Sequence, residues 1–139
     1  MTFKLSKRSF DRLIGVNEKM VSVVKRAIEI SEVDFMVVEG LRTKQRQEEL
    51  YAQGRTKPGK IVTWTMKSKH IEGLAVDIAP CNKDGSINWN DLKMFDKMAD
   101  AMFKAAKELN INIRHGADWN MNGVKREKGE TDSPHFELV

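Results

Sequence analysis

The 139-residue sequence predicts an α+β fold, a single small domain over residues 1–139 in which a mostly antiparallel sheet packs with helices. Three observations predict it. Two long stretches carry apolar residues at helical spacing, and short β-branched or alternating runs lie between and after them. The two kinds of pattern are mixed, without the regular alternation that a parallel sheet requires. No internal repeat, low-complexity tract or Pro/Ser-rich linker marks a place for a second domain to begin.

Taken in order, a short helix is expected around Ser9–Ile14. Asn17 caps a longer one to about Ile30, with Met20, Val21, Val24, Ala27 and Ile28 on its apolar face. Phe35–Glu39 is β-branched and aromatic and stops at Gly40, so it reads as a strand. Thr43 caps a helix through Gln53, with Gly54 as its stop. Residues 55–69 read as a lysine-rich loop around a short strand near Ile61–Trp64. Leu74–Ala79 alternates, with Leu74, Val76 and Ile78 on one face and Ala75, Asp77 and Ala79 on the other. Lys83-Asp84-Gly85-Ser86 is a turn signal before a short strand at Ile87–Trp89. Asn90 caps the longest helix, to about Leu109, with Leu92, Phe95, Met98, Ala99, Met102, Phe103 and Ala106 as its stripe. Its methionines read as core filler. Ile111–His115 is a strand, residues 117–133 a polar loop, and His135–Leu138 the last strand.

Composition limits what the chain can do. A hydrophobic content of 40% supports a core, and 32% charge points to a water-exposed surface. No apolar run approaches the roughly 20 residues of a membrane-spanning helix. The basic start, Met1 to Arg8, has no apolar stretch behind it and does not read as a secretion signal. One cysteine, Cys81, excludes an internal disulfide and an all-cysteine zinc site. The net charge of +4 either draws the chain to an anionic partner or simply keeps it soluble. The densest cluster, Lys125-Arg126-Glu127-Lys128, contains an acid, so nothing resembles a nucleic-acid-binding tail.

The chemistry gathers around two segments. His70 and Asp77 frame one, and the small neighbours Ala75 and Ala79 leave space beside the Asp77 carboxylate. His135 and Glu137 share a face of the last strand. Two imidazoles and a carboxylate suit a three-ligand Zn²⁺ site whose fourth position is open to water. Asp132, three residues before His135, can reach the same pocket as a base. The spacing is not the helical His-Glu-x-x-His pattern, and the same residues also occur as ordinary polar partners.

Ser68-x-His70-x-x-Gly73-x-Ala75-x-Asp77, with Asp132-x-x-His135 late in the chain, resembles the zinc peptidases of the D-alanyl-D-alanine carboxypeptidase and dipeptidase family. Gly40-Leu41-Arg42-Thr43, Ile87-Asn88-Trp89-Asn90-Asp91-Leu92, Gly116-Ala117-Asp118-Trp119-Asn120 and the ending His135-Phe136-Glu137-Leu138-Val139 are similar to one branch. That branch is the L-alanyl-D-glutamate peptidase endolysins of bacteriophages, of the phage T5 type. The likeness runs through nearly the whole chain in the same order. It implies a Hedgehog/DD-peptidase-like fold, with His70, Asp77 and His135 as zinc ligands. It also implies Asp132 as the catalytic base, where many members carry Glu. Arg42 would bind a substrate carbonyl or carboxylate and stabilise the oxyanion. Ser68 would either bind substrate or order its loop.

Other residues have open readings. His115 fits a polar partner better than a further ligand, since the ligand set is complete without it. Glu137 either orients a ligand imidazole or forms a plain salt bridge. Cys81 fits a buried, inert thiol. Trp64, Trp89 and Trp119 either pack the core or line a groove. Asp118-x-Asn120-x-Asn122-Gly123 copies the first half of an EF-hand loop, but position twelve is Gly129. It is either a calcium site completed by Glu127 or Glu130, or an ordinary Asn/Gly turn. The resembling phage enzymes carry a similar loop linked to calcium.

The expected activity is therefore that of a phage endolysin, a zinc-dependent peptidoglycan endopeptidase that hydrolyses the L-alanyl-D-glutamate bond of the stem peptide. Bacterial peptidoglycan is its partner, with no nucleic acid, no membrane insertion and no separate cell-wall-binding domain. A monomer is expected, held in the host cytoplasm until lysis admits it to the periplasm. The alternatives are a D-alanyl-D-alanine carboxypeptidase or dipeptidase on the same scaffold, and a non-catalytic zinc-containing wall-binding module. An intact Asp132 argues against the second.

Overall fold

The computed structural model describes residues 3–60, 70–118, 121 and 132–139, with residues 44 and 132 described by their backbone alone. Among the described residues eight elements follow in order: α1 (Lys7–Arg12), α2 (Glu18–Ile30), β1 (Phe35–Glu39), α3 (Lys44–Ala52), β2 (Ala75–Pro80), α4 (Leu92–Leu109), β3 (Ile113–Gly116) and β4 (Asp132–Leu138). The four strands form one sheet in the order β1-β2-β4-β3, and every pairing is antiparallel. The α+β expectation holds. Among the described residues no helix is long and apolar enough to cross a membrane.

The helices begin where their caps dictate. Asn17 Oδ1 accepts the Lys19 N–H at 2.9 Å, and Thr43 Oγ1 accepts that of Arg46 at 3.1 Å. α1 starts earlier than its expected Ser9–Ile14, because Ser6 is the cap and accepts the Ser9 N–H. α4 is capped by Asp91 rather than Asn90. The Asn88 side chain accepts the Asn90 N–H and the Asn88 carbonyl that of Asp91, so Asn90 is spent in a turn. The same turn removes the expected strand at Ile87–Trp89. Trp89 instead stacks on Phe95 with half its surface exposed. β3 starts two residues later than expected because the Ile111 N–H is bound to the Ala106 carbonyl at the end of α4. The strand expected near Ile61–Trp64 lies outside the described residues.

The sheet has two distinct faces. α4 lies across β2, β4 and β3, and α2 packs on α4. Val76, Ile78, Ile113 and Phe136 meet Phe95, Met98, Ala99 and Met102 of α4 and Met20, Val23 and Val24 of α2 in the core. On α2 it is Val23 that is fully buried, while Val21 sits at the core's edge. Leu92 and Phe103, expected in the α4 stripe, are partly exposed, and Ala101 and Ala105 are buried instead.

β1 is an edge strand, and α1 covers its open side. The Val37 N–H donates to Ser9 Oγ at 3.0 Å, and Arg12 Nη1 donates to the Val37 carbonyl at 2.9 Å. Both unpaired ladder groups are thereby satisfied, which blunts an edge that would otherwise pair with another chain. Ser9 is fully buried. Ser9→Ala should therefore cost about 1–3 kcal/mol by stranding a buried N–H, read as a shift of the urea midpoint at unchanged slope.

Candidate metal centre

The β2–β4 ladder sets Asp77 directly opposite His135. Val76 pairs with Phe136 and faces α4, so Asp77 and His135 project from the other side. His70 enters from the turn before β2. Its carbonyl accepts the Arg42 and Gly73 N–H groups, at 2.9 and 3.3 Å. The three side chains converge. His70 Nε2, Asp77 Oδ1 and His135 Nδ1 form a triangle with every side 3.2 Å.

The outer edges of both rings decide what the inner atoms are. His70 Nδ1 lies 2.9 Å from the Gly40 carbonyl, and His135 Nε2 lies 2.9 Å from Glu137 Oε1. Each partner accepts only, so each outer nitrogen carries the hydrogen. In the neutral rings the inner nitrogens then present lone pairs. Three lone-pair atoms facing one another repel unless a cation sits between them. Tetrahedral bonds of about 2.0 Å to zinc put ligand atoms about 3.3 Å apart, close to the triangle seen here. The donor set thus fits a divalent metal with an open fourth position.

The surroundings hold this arrangement. Gly40, whose carbonyl takes the His70 N–H, lies so close to the Arg12 carbonyl that a Cβ there would collide with it. Glu137 is buried and bridges His135 and Arg114, whose Nη2 donates to Glu137 Oε2 at 2.7 Å. Burial pushes the Glu137 carboxyl up, but the hydrogen bonds from His135 and Arg114 outweigh it and bring it down to about 2. Burial likewise opposes ionisation of Asp77. When a ring takes up a second proton on its inner nitrogen, its hydrogen bond and charge outweigh burial and hold the Asp77 carboxyl well below the usual carboxylate range. Both groups are therefore anionic at neutral pH. Of the two readings of Glu137, the structure realises both, since it holds an imidazole and pairs with an arginine.

Arg42 sits beside the trio through its backbone bond to His70. Its guanidinium is clasped by Glu39, Nε to Oε1 at 2.6 Å and Nη2 to Oε2 at 2.9 Å, while Nη1 donates to Gln47 Oε1 at 2.6 Å. Glu39 and Gln47 were not identified from the sequence. Glu39 reaches this face because a bulge after Val37 sets Glu39, rather than Val38, opposite Asp77. Arg114 was missed too, since its partnership needs the β3–β4 register, which places it opposite Glu137.

The remaining expected residues divide. Asp132 begins β4, opposite Gly116. Ser68, Trp64, Trp119, Asn120 and Asn122 lie outside the described residues, and so does the Asp132 side chain. Asp118 is described only at the start of the expected calcium loop, its N–H bound to the His115 carbonyl at 3.0 Å. His115 is buried on the α4 face, stacked on Phe136, and bonds the Ser133 carbonyl as a polar partner. Cys81 lies past the far end of β2 and is only partly buried. Burial and the nearby Asp34 push its thiol up to about 11.

Two predictions follow from these contacts. Glu137→Gln should keep the fold but weaken divalent-metal binding by about 10–100-fold, measured by competition with a chromogenic chelator. Cys81 should be alkylated slowly at pH 8. A thiol near 11 rather than the ordinary 9.0 holds about a hundredfold less thiolate there. The rate should rise with pH until about 11, and Asp34→Asn should move that rise to lower pH.

Comparison with known proteins gives concordant results. The family model for phage L-alanyl-D-glutamate peptidase matches residues 1–139. The L-alanyl-D-glutamate peptidase of Escherichia phage T5 is 40% identical over 144 residues, covering 100% of both chains. The peptidoglycan L-alanyl-D-glutamate endopeptidase CwlK of Bacillus subtilis strain 168 is 36% identical over 120 residues, 84% of this chain and 67% of that one. Among solved structures, the Serratia marcescens L-Ala D-Glu endopeptidase ChiX superposes with a TM-score of 0.79 at 31% identity, covering 99% of this chain and 90% of its own.

Proposed function

Because the chain belongs to the phage L-alanyl-D-glutamate peptidase family, we propose that it is an endolysin that hydrolyses the L-alanyl-D-glutamate bond of peptidoglycan stem peptides. One zinc ion, held by His70, Asp77 and His135, is its cofactor. The observation that carries this reading is the triangle of three acceptor atoms, each 3.2 Å from the others and each lacking a hydrogen in the neutral-ring state. When bound, zinc would act as a Lewis acid on the scissile carbonyl and lower the pKa of water at the open position.

The chain's own residues supply the rest. Asp132 takes the proton of the attacking water and returns it to the leaving amine. Its place in β4, three residues before His135, supports that role. Arg42 binds a substrate carboxylate or the developing oxyanion, and its fork on Glu39 and Gln47 fixes where its charge sits. Ser68 contacts the substrate peptide. The positive net charge favours approach to an anionic wall. The protein acts as a monomer, reaching the wall from the host cytoplasm at lysis. Calcium at Asp118, Asn120 and Asn122 is a separate proposal, supported by the alternation of oxygen donors alone.

Mass spectrometry of fragments released from purified Gram-negative peptidoglycan by the zinc-loaded protein tests the reading. Peptides beginning at D-glutamate, with L-alanine left on the glycan, are expected. Asp132→Ala should lower the rate by about 10²–10⁴-fold at unchanged zinc content. Loss of terminal D-alanine alone would make the protein a carboxypeptidase. Absence of any released product, with zinc bound, would make it a wall-binding module.

A further inference from the structure

We propose that His115 is a positioning residue: its ring N–H clamps the strand segment that carries Asp132 and His135. The kinetic consequence rests on the endopeptidase reading above; the clamp itself does not.

The β3–β4 ladder is regular from Ile113 opposite Leu138 to His115 opposite Phe136, and then it jumps. The next pair is Gly116 with Asp132, not Gly116 with His135. Three residues of β4, Ser133, Pro134 and His135, are thereby released from β3 within a strand whose two ends stay paired. They are the link between the proposed base and a metal ligand. Pro134 has no N–H to offer a ladder. His135 is still held on its other side, opposite Asp77. Ser133 has no such pairing in the β2 register, which ends at His135.

The His115 side chain fills that gap. His115 Nε2 lies 2.7 Å from the Ser133 carbonyl, which can only accept, so the ring donates. The donor itself is fixed. The ring lies nearly parallel to Phe136, with centroids 4.4 Å apart and planes 6° from one another, and Phe103 meets it edge-on at 6.2 Å. His115 and Ser133 are both buried, so water does not compete for this bond. A rotamer locked between two aromatic rings thus does what a ladder bond would do. It sets the height of the Ser133 peptide and, through it, the direction in which the adjacent Asp132 leaves the strand. Since errors of about 1 Å at a reacting group cost about 10²-fold in rate, such a clamp bears on turnover without touching substrate.

The test compares His115→Phe, which keeps the ring stack and loses the donor, with His115→Gln, which keeps a donor of similar reach. Both are made in the full-length, zinc-loaded protein. For His115→Phe we expect kcat to fall about 10–100-fold with KM within about twofold, at unchanged zinc stoichiometry. Hydrogen exchange should quicken across residues 132–135. His115→Gln should recover most of kcat and the exchange protection. A Phe variant with wild-type kcat and exchange would overturn the clamp. Equal impairment of both variants would also overturn it, because restoring a donor would then rescue nothing. If His115→Phe does not fold, His115→Leu carries the same comparison. Should the wild type release no L-alanyl-D-glutamate fragments, the endopeptidase reading falls. The exchange data then decide the clamp alone.

Discussion

The antiparallel pairing of β2 with β4, in the register that opposes Asp77 to His135, is the constraint on which the site depends. Strand side chains alternate, so a slip of one residue would turn Asp77 into the helix layer and bring Val76 to the metal face. The core prevents the slip. Val76 and Ile78 on β2 and Phe136 on β4 are fully buried against α4, and exposing them would cost about 1.5–3 kcal/mol each. The apolar face thus pays for the geometry of the polar one.

On that frame the site is built by acceptors behind donors. The Gly40 carbonyl behind His70, and Glu137 behind His135, fix which nitrogen of each ring faces inward. Arg114 then balances Glu137, so the buried carboxylate is paired on both oxygens. Removing one member would leave a buried charge uncompensated, which is costlier than never having built the pair. The same logic operates at Arg42, where Glu39 and Gln47 take up the guanidinium fork. These pairings hold the polar face in one arrangement beside a trio that would repel without a cation.

Much of this was legible in the sequence. The alternation of Leu74–Ala79 showed that Asp77 leaves the sheet on the side away from Val76 and Ile78. Asn17 and Thr43 stood out as caps because each precedes a helical run with no better candidate beside it. At Asn90-Asp91 two adjacent cap residues compete, and the choice falls to Asp91 because Asn88 has already drawn Asn90 into a turn. Residue spacing and family resemblance suggested that His70, Asp77 and His135 belong together; the convergence of their atoms needed the fold. Arg114 was invisible because a cross-strand partner is defined by register, and nothing in the local sequence states a register.

What the sequence hid most completely are the two breaks in the ladders, and both adjoin the site. A period of two along β1 would place Glu39 with Val37, facing the helices; the bulge at Val38 turns it to the metal face, where it holds Arg42. A continuous β3–β4 ladder would have paired Gly116 with His135; the jump to Asp132 gives Ser133–His135 a path of their own. Where the sheet leaves backbone groups without a ladder partner, at the open edge of β1 and at the jump in β4, a side chain answers. Ser9 and Arg12 serve Val37 on the outer edge of β1, and His115 serves Ser133. The regular β2–β4 pair gives the site its rigidity, and the irregular strands on either side give it residues that strict alternation would have aimed elsewhere.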